Sequence, residues 1–539
     1  MRSLTRLFCL ITGLLALVGC EDAERESTIR QRGFVYCTLG QPNTFNPQLT
    51  DGGITVDTLS AQIYDRLVSF DQESVDPVPM LAESWSVSED GKVYTFKLRK
   101  GVNFQVTDWF VPHRQLTAED VVFSFRRLID PDHPFHFVSG GEYPWFDSTD
   151  FTGLVESVDA LDDETVRFTL SRPDVSFLGT LATSYAVVLS QEYGQYLLAQ
   201  GKPEKLDTKP VGTGPFFVDD YHPGDYIRLR RNWSYWQGAA AMEQVVLDIS
   251  SRGTGNLAKL LTGECDVLPS PVASQLPVIR SRTEFNLNSQ TGMNTAYLAL
   301  DTRHPALSEL EVRKAISLAI NRSNLISSVY YGTGTEAGAL LPPNSWAHKP
   351  DSEVKTYDPK LAKVLMAKAG YRNGFDVELA ITHEPRPYNP SPRKMAELIQ
   401  ADLAQIGVRV TINDLQNVSR KTIRESQTQG MVLTGWVADS GDPDNFLRPL
   451  LSCSAKFTGW NLSNWCNRYF DRALNDAIAV KDRQMRNVYY AKAQEILSER
   501  MPVVPLAHGI YYSAAARSLH GLEINSFGSQ SFVEVSRGY

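Results

Sequence analysis

Apolar residues recur at every second position in some segments and at every third or fourth in others, and the two kinds of segment take turns along the chain. Phe375-Asp376-Val377-Glu378-Leu379-Ala380-Ile381 places its large apolar residues at alternate positions and predicts a strand. Met395, Leu398, Ile399, Leu403 and Ile406 then follow a helical period that ends at Gly407. Val408–Ile412 predicts the next strand, Val418–Thr428 a polar helix, and Met431–Trp436 a third strand. Strand–helix–strand–helix–strand implies a parallel sheet, and such sheets hold ligands beyond the carboxyl ends of their strands.

The rest of the chain follows the same α/β logic, with no repeat period. Phe34–Cys37 predicts a short strand, Gly52-Gly53 a turn, and Glu83–Phe104 a hairpin turning at Glu89-Asp90-Gly91. Thr117 to Arg127 predicts a helix with Thr117 as N-cap and Asp120 three residues on. Gly212-Thr213-Gly214-Pro215 predicts a sharp loop, Leu310–Leu325 one helix, and residues 330–358, rich in Gly, Pro and Asn, an irregular stretch.

The N-terminus sets the compartment. Arg2 and Arg6 precede an apolar run from Leu7 to Gly19, short of the roughly 20 residues that span a bilayer and shaped like the core of a secretory signal. Leu17-Val18-Gly19-Cys20 resembles a bacterial lipobox, which makes Cys20 the expected lipidation site and residues 1–19 the leader. The charged residues that follow read as a tether over 20–33. No later apolar stretch is long enough for a transmembrane helix.

Composition narrows the function. The 539 residues are 42% hydrophobic and 21% charged, enough apolar residues for a large core in about three or four folding units. Losing Arg2 and Arg6 with the leader takes the net charge from −9 to −11, which argues against nucleic acid as a partner. Cys37, Cys265, Cys453 and Cys466 remain besides Cys20. An even set in an oxidising compartment favours disulfides, with three connectivities open. The polar stretch between Cys453 and Cys466 can close a surface loop, and that pairing leaves Cys37 with Cys265. Neither C-x-x-C nor H-x-x-x-H supports zinc, and no metal or cofactor is expected.

Two charges stand where a ligand would sit. Arg386 follows the first strand of the 375–436 region, and Asp439 follows the third. A guanidinium fork and a carboxylate facing one crevice suit a zwitterion with separated termini. Plainer readings stand beside this one: Asp439 as a turn or cap residue, Arg386 as a surface arginine, Tyr388 and Trp436 as core aromatics. The Asp-rich loop after Asp439 misses calcium-loop spacing, and Gly253-Thr254-Gly255 near Lys259 lacks the ending of a phosphate loop. His133 and His136, in a Pro-rich loop, read as solvated.

Further segments carry a family resemblance in order along the mature chain. They are Thr44-Phe45-Asn46-Pro47, Leu81-Ala82-Glu83-Ser84-Trp85, Asp120-Val121-Val122-Phe123-Ser124-Phe125, Val211-Gly212-Thr213-Gly214-Pro215-Phe216 and Gly441-Asp442-Pro443-Asp444-Asn445-Phe446. The chain resembles the peptide-binding proteins of bacterial ABC importers, in the dipeptide/oligopeptide family. Thr107-Asp108-Trp109-Phe110, Lys259 to Val267 and Phe446 to Cys453 are similar to the Sap branch, linked to antimicrobial-peptide resistance.

The resemblance implies an α/β bilobed type II periplasmic solute-binding fold that closes by a hinge, with an inserted accessory domain. Its expected boundaries are 34–64, 214–291 and 510–539 for lobe I, 65–213 for the accessory domain and 292–509 for lobe II. It implies disulfides Cys37–Cys265 and Cys453–Cys466, in agreement with the spacing. It places a peptide α-ammonium on Asp439 and an α-carboxylate on Arg386, with Tyr388, Trp436 and the turn at Gly53 lining the pocket. The Arg386-Pro387-Tyr388-Asn389 loop is not uniform in the Sap branch, and its presence favours a free carboxylate. The expected partners are a peptide, short or cationic and antimicrobial, and the permease subunits of an importer, for a monomer held in the periplasm by lipidated Cys20. Haem, a polyamine or another non-peptide solute on the same fold is the alternative. An exported hydrolase is a further one, although Gly-x-Ser-x-Gly and His-Glu-x-x-His are missing.

Overall fold

A computed structural model describes residues 32–538 except 39, 72–74, 251–252, 355, 383–384, 416–429 and 459. The leader, Cys20 and the helix expected over 418–428 lie outside the described residues. So does the tether up to residue 31, and the first strand begins at Gly33, inside the stretch read as tether.

Among the described residues two lobes share one strand. Val503–Ala516 pairs antiparallel with Asn294–Leu300 through residues 503–507, with Gly334–Glu336 through 507–509, and with Phe285–Thr291 through 510–516. One lobe extends from it through Val267–Pro269, Gly33–Cys37, Gln244–Asp248, Tyr226–Arg231 and Phe216–His222. The other extends through Asn294–Leu300, Met431–Val437, Phe375–Thr382 and Val408–Leu415. The last three are parallel, as the alternation predicts. Their junction with Asn294–Leu300 is antiparallel, so the sheet as a whole is mixed.

The second lobe's central strands Asn294–Leu300 and Met431–Val437 are nearly continuous buried runs because both faces are covered, whereas Phe375–Thr382 begins with Asp376 and Glu378 exposed between buried neighbours. Ala296, Leu298 and Leu300 pack into one helix layer, while Tyr297 and Ala299 pack into the other. The long helix expected over 310–325 is broken. Leu310–Ala319 stops at Ile320, and Asn321 starts Arg322–Leu325 by accepting a 3.0 Å hydrogen bond from the Asn324 amide. The Asp402 carboxylate accepts from the Asn321 amide at 2.9 Å, so local capping outweighs continuation.

The inserted segment holds its own antiparallel sheet, ordered Ala82–Val87, Val93–Leu98, Thr165–Leu170 and Val155–Asp162. Beside it runs Ala118–Ile129, where the Asp120 carboxylate accepts from the Thr117 amide at 2.9 Å. This segment has no core of its own. Phe34, Leu247 and Phe532 belong to the same buried cluster as Phe96, Phe125 and Phe168, so the insertion and the first lobe form one packed body. The fully buried Arg127 grips Asp207 through two 2.8 Å hydrogen bonds, and Asn46 donates to the same carboxylate at 2.8 Å.

Cys37–Cys265 and Cys453–Cys466 are disulfides, with Cα atoms 5.9 Å and 4.6 Å apart. One reading needs correction. His133 lies 5.1 Å from the Phe123 ring with its pKa pulled down to about 4 by burial, and His136 Nδ1 is 2.8 Å from the Arg127 carbonyl; neither is simply solvated. No helix among the described residues is long and apolar enough to cross a membrane.

Candidate functional site

The expected charges emerge from neighbouring parallel strands. Phe375–Thr382 pairs with Met431–Val437, and the chain leaves their carboxyl ends toward Arg386 and Asp439 respectively. The Arg386 turn is closed by two backbone hydrogen bonds with Asn389, 2.9 and 2.8 Å long. Two glycines seat it. A β-carbon on Gly509 would lie 2.1 Å from the Pro387 carbonyl oxygen, and one on Gly435 would lie 2.2 Å from Tyr388 Cδ2. The turn therefore rests directly on the backbone of the strand shared by the lobes. The Tyr330 hydroxyl donates to the Tyr388 carbonyl, leaving Tyr388 buried and Arg386 exposed.

The Asp439 side is held just as firmly. Asn445 Oδ1 accepts from the Asp439 amide at 3.0 Å and from Trp436 Nε1 at 3.4 Å, while Trp436 meets Trp460 edge to face at 5.0 Å. Asp442 is anchored by Arg486 at 2.6 Å and by the Tyr490 hydroxyl at 3.0 Å. The Asp-rich loop thus braces the site through ion pairs. From the other side, Trp145 Nε1 donates to Asp439 Oδ2 at 2.8 Å.

The first lobe contributes a residue that the sequence did not reveal. Asp57, in the turn Thr55–Leu59 just after Gly53, is exposed, yet its carboxyl is pushed up to about 6 by desolvation and drawn back by Arg386. Tyr511 on the shared strand has its phenol raised by burial first, then by the charges of Asp57 and Asp439 and by Tyr388. Asp57 thus lies within electrostatic reach of Arg386, and Asp57, Asp439 and Tyr388 all lie within electrostatic reach of Tyr511. A period-based reading had no means of finding Asp57, because only the fold brings it within electrostatic reach of Arg386. Gly53 adopts φ +84°, and a β-carbon there would meet open space. Trp436 and Tyr388 are 4% and 8% exposed, and both also contribute to core clusters.

Among the described residues the cluster of metal-ligand type is Cys37, Asp248 and Cys265, whose two sulfurs are joined in the disulfide.

Over residues 76–458 the chain matches the family described as bacterial extracellular solute-binding proteins, family 5 Middle. It is 44% identical over 541 aligned positions to the peptide transport periplasmic protein SapA of Salmonella typhimurium, covering 100% of this chain and 98% of that one. It is 40% identical to heme-binding protein A of Haemophilus influenzae, covering 98% of each. A crystal structure of the dipeptide binding protein from Pseudoalteromonas sp. SM9913 in complex with Met-Leu superposes with a TM-score of 0.87. That chain is 41% identical, with coverage of 94% of this chain and 100% of that one.

Proposed function

The chain belongs to family 5 of the bacterial extracellular solute-binding proteins, and on that premise we propose that it captures short peptides with free termini between its lobes for delivery to an ABC importer. It is a binding protein, not an enzyme. Asp439 holds the α-ammonium, Arg386 the α-carboxylate, and Tyr388, Trp436 and the Gly53 turn line the pocket. The observation that carries this reading is the pair of opposite charges following the same ends of two neighbouring parallel strands.

Enclosing a peptide strips water from two full charges, so each needs a counter-charge already in place. The guanidinium offers a planar fork to a carboxylate, and the carboxylate accepts from an ammonium. Backbone pairing with the peptide main chain adds affinity without reading side chains. Residues 34–64, 214–291 and 510–539 form lobe I and move as one body with the insertion 65–213 against lobe II, 292–509, and a lipid on Cys20 keeps the monomer at the membrane beside the permease.

Calorimetry with a free dipeptide and its N-acetylated form tests this. Asp439→Ala weakens the free peptide by about 2–5 kcal/mol and leaves the acetylated one unchanged; equal affinities in parent and mutant for the free peptide overturn the assignment. Haem is the second reading, supported by the likeness to the Haemophilus protein. Haemin titration followed in the Soret band, with dipeptide as competitor, separates the two.

A further inference from the structure

The bond between Trp145 and Asp439 joins parts of the chain 294 residues apart. Trp145 lies in the inserted segment, which shares one core with the first lobe, whereas Asp439 follows a strand of the second lobe. The contact therefore crosses the boundary between the two moving bodies. Trp145 is 3% exposed, and its ring stacks on Tyr185 with centroids 4.6 Å apart and planes 10° from parallel. That stack fixes the direction of the indole N–H.

The same boundary is closed around this bond. The Val175 amide donates to the Ile478 carbonyl at 3.0 Å, and a β-carbon on Gly441 would lie 2.5 Å from Val75 Cγ2. A β-carbon on Gly179 would lie 3.5 Å from that of Ser440. The loop from Asp439 to Gly441 is thus covered by the insertion, and Trp145 reaches the Asp439 carboxylate.

We propose that Trp145 is a positioning residue for ammonium recognition: its N–H holds Oδ2 of Asp439 and so sets the orientation in which the carboxylate meets the ligand's amine. The inserted segment thereby completes the amine subsite only when the lobes meet. This rests on the assignment of Asp439 to the α-ammonium. A neutral donor on one carboxylate oxygen fixes the rotamer without itself neutralising the charge that an amine would meet. Ligands without a free amine draw nothing from the arrangement.

The test uses the full-length protein, a free dipeptide and its N-acetylated form. Trp145→Phe keeps a ring on Tyr185 and removes the N–H. It is expected to weaken the free dipeptide about tenfold, the scale of a hydrogen bond to a charged group, and to shift the acetylated form by less than about twofold. Replacing Trp145 with benzothienylalanine, which retains both rings and lacks only the N–H, should give the same ratio and guards against a packing defect in the phenylalanine variant. Equal losses for both peptides, or no loss for either, overturn the proposal. Asp439→Ala measured in parallel separates the two ideas. If it fails to discriminate free from acetylated peptide, the ammonium assignment itself falls; if it discriminates and both Trp145 variants behave like the parent, only the positioning role falls.

Discussion

Tyr388 packs against the bare backbone of Gly435, at a distance that leaves no room for even a methyl group. The aromatic ring beside Arg386 is therefore placed by a glycine on the neighbouring strand. Gly435→Ala must displace the ring or bend the strand. The expected result is a stability loss of about 1–3 kcal/mol, the usual cost of overfilling a packed site, together with weaker peptide binding. Urea titration and calorimetry on one preparation check both.

Removing the guanidinium should be felt only by ligands that own a carboxylate. Arg386→Ala is expected to weaken a free dipeptide by about 2–5 kcal/mol and to leave a C-terminally amidated dipeptide within about twofold of the parent. A heavy loss for the amide as well would show Arg386 serving another partner.

Closure should respond to acid. The Asp57 carboxyl is raised from 3.8 to about 6 by desolvation, and Asp174, buried where the insertion meets the second lobe, is also raised to about 6, by burial and then by Asp444. A raised carboxyl holds its proton more tightly in the closed form than in water. Its contribution to closure is complete below the ordinary carboxylate range and is lost as pH rises through about 6. X-ray scattering of ligand-free protein should show a larger closed fraction at about pH 5 than at about pH 7.5. Asp57→Asn and Asp174→Asn should each flatten that dependence.

The buried pair inside the insertion is a structural liability once broken. Asp207→Ala strands Arg127, which is fully enclosed, and should cost about 3–5 kcal/mol of stability with little change in affinity among the molecules still folded. Thermal unfolding with and without peptide separates the two effects.

The disulfides should contribute unequally. Cys37–Cys265 closes a separation of 228 residues and Cys453–Cys466 one of 13, for which chain-entropy arguments give about 5 and about 3 kcal/mol as upper values. Denaturant midpoints of the two Cys→Ala double variants test the order.

Period and position carried the sequence reading well at the strands that lead to the site. Phe375–Thr382 and Met431–Val437 were legible as strands, and the site charges as residues following their carboxyl ends. The Thr117 cap was legible because its partner Asp120 is three residues away. What escaped depended on distant chain. Asn321 interrupts a helical pattern whose apolar face gives no warning. His133 is dried by Phe123, which no count of prolines indicates. Asp57 and Trp145 are ordinary residues in their own segments and acquire meaning only where the fold brings Asp57 within electrostatic reach of Arg386 and Trp145 onto Asp439.

Val503–Ala516 is a structural member of both halves. Each sheet needs it: residues 503–507 to seat Asn294–Leu300, residues 513–515 to seat Val267–Pro269. Neither half can therefore complete its hydrogen-bond ladder before that segment is in hand, however early its other strands are made. Assembly is deferred to long-range pairing, which is intrinsically slow. A chain cut ahead of residue 503 would yield not one finished half and one ruined half, but two sheets each with an open seam.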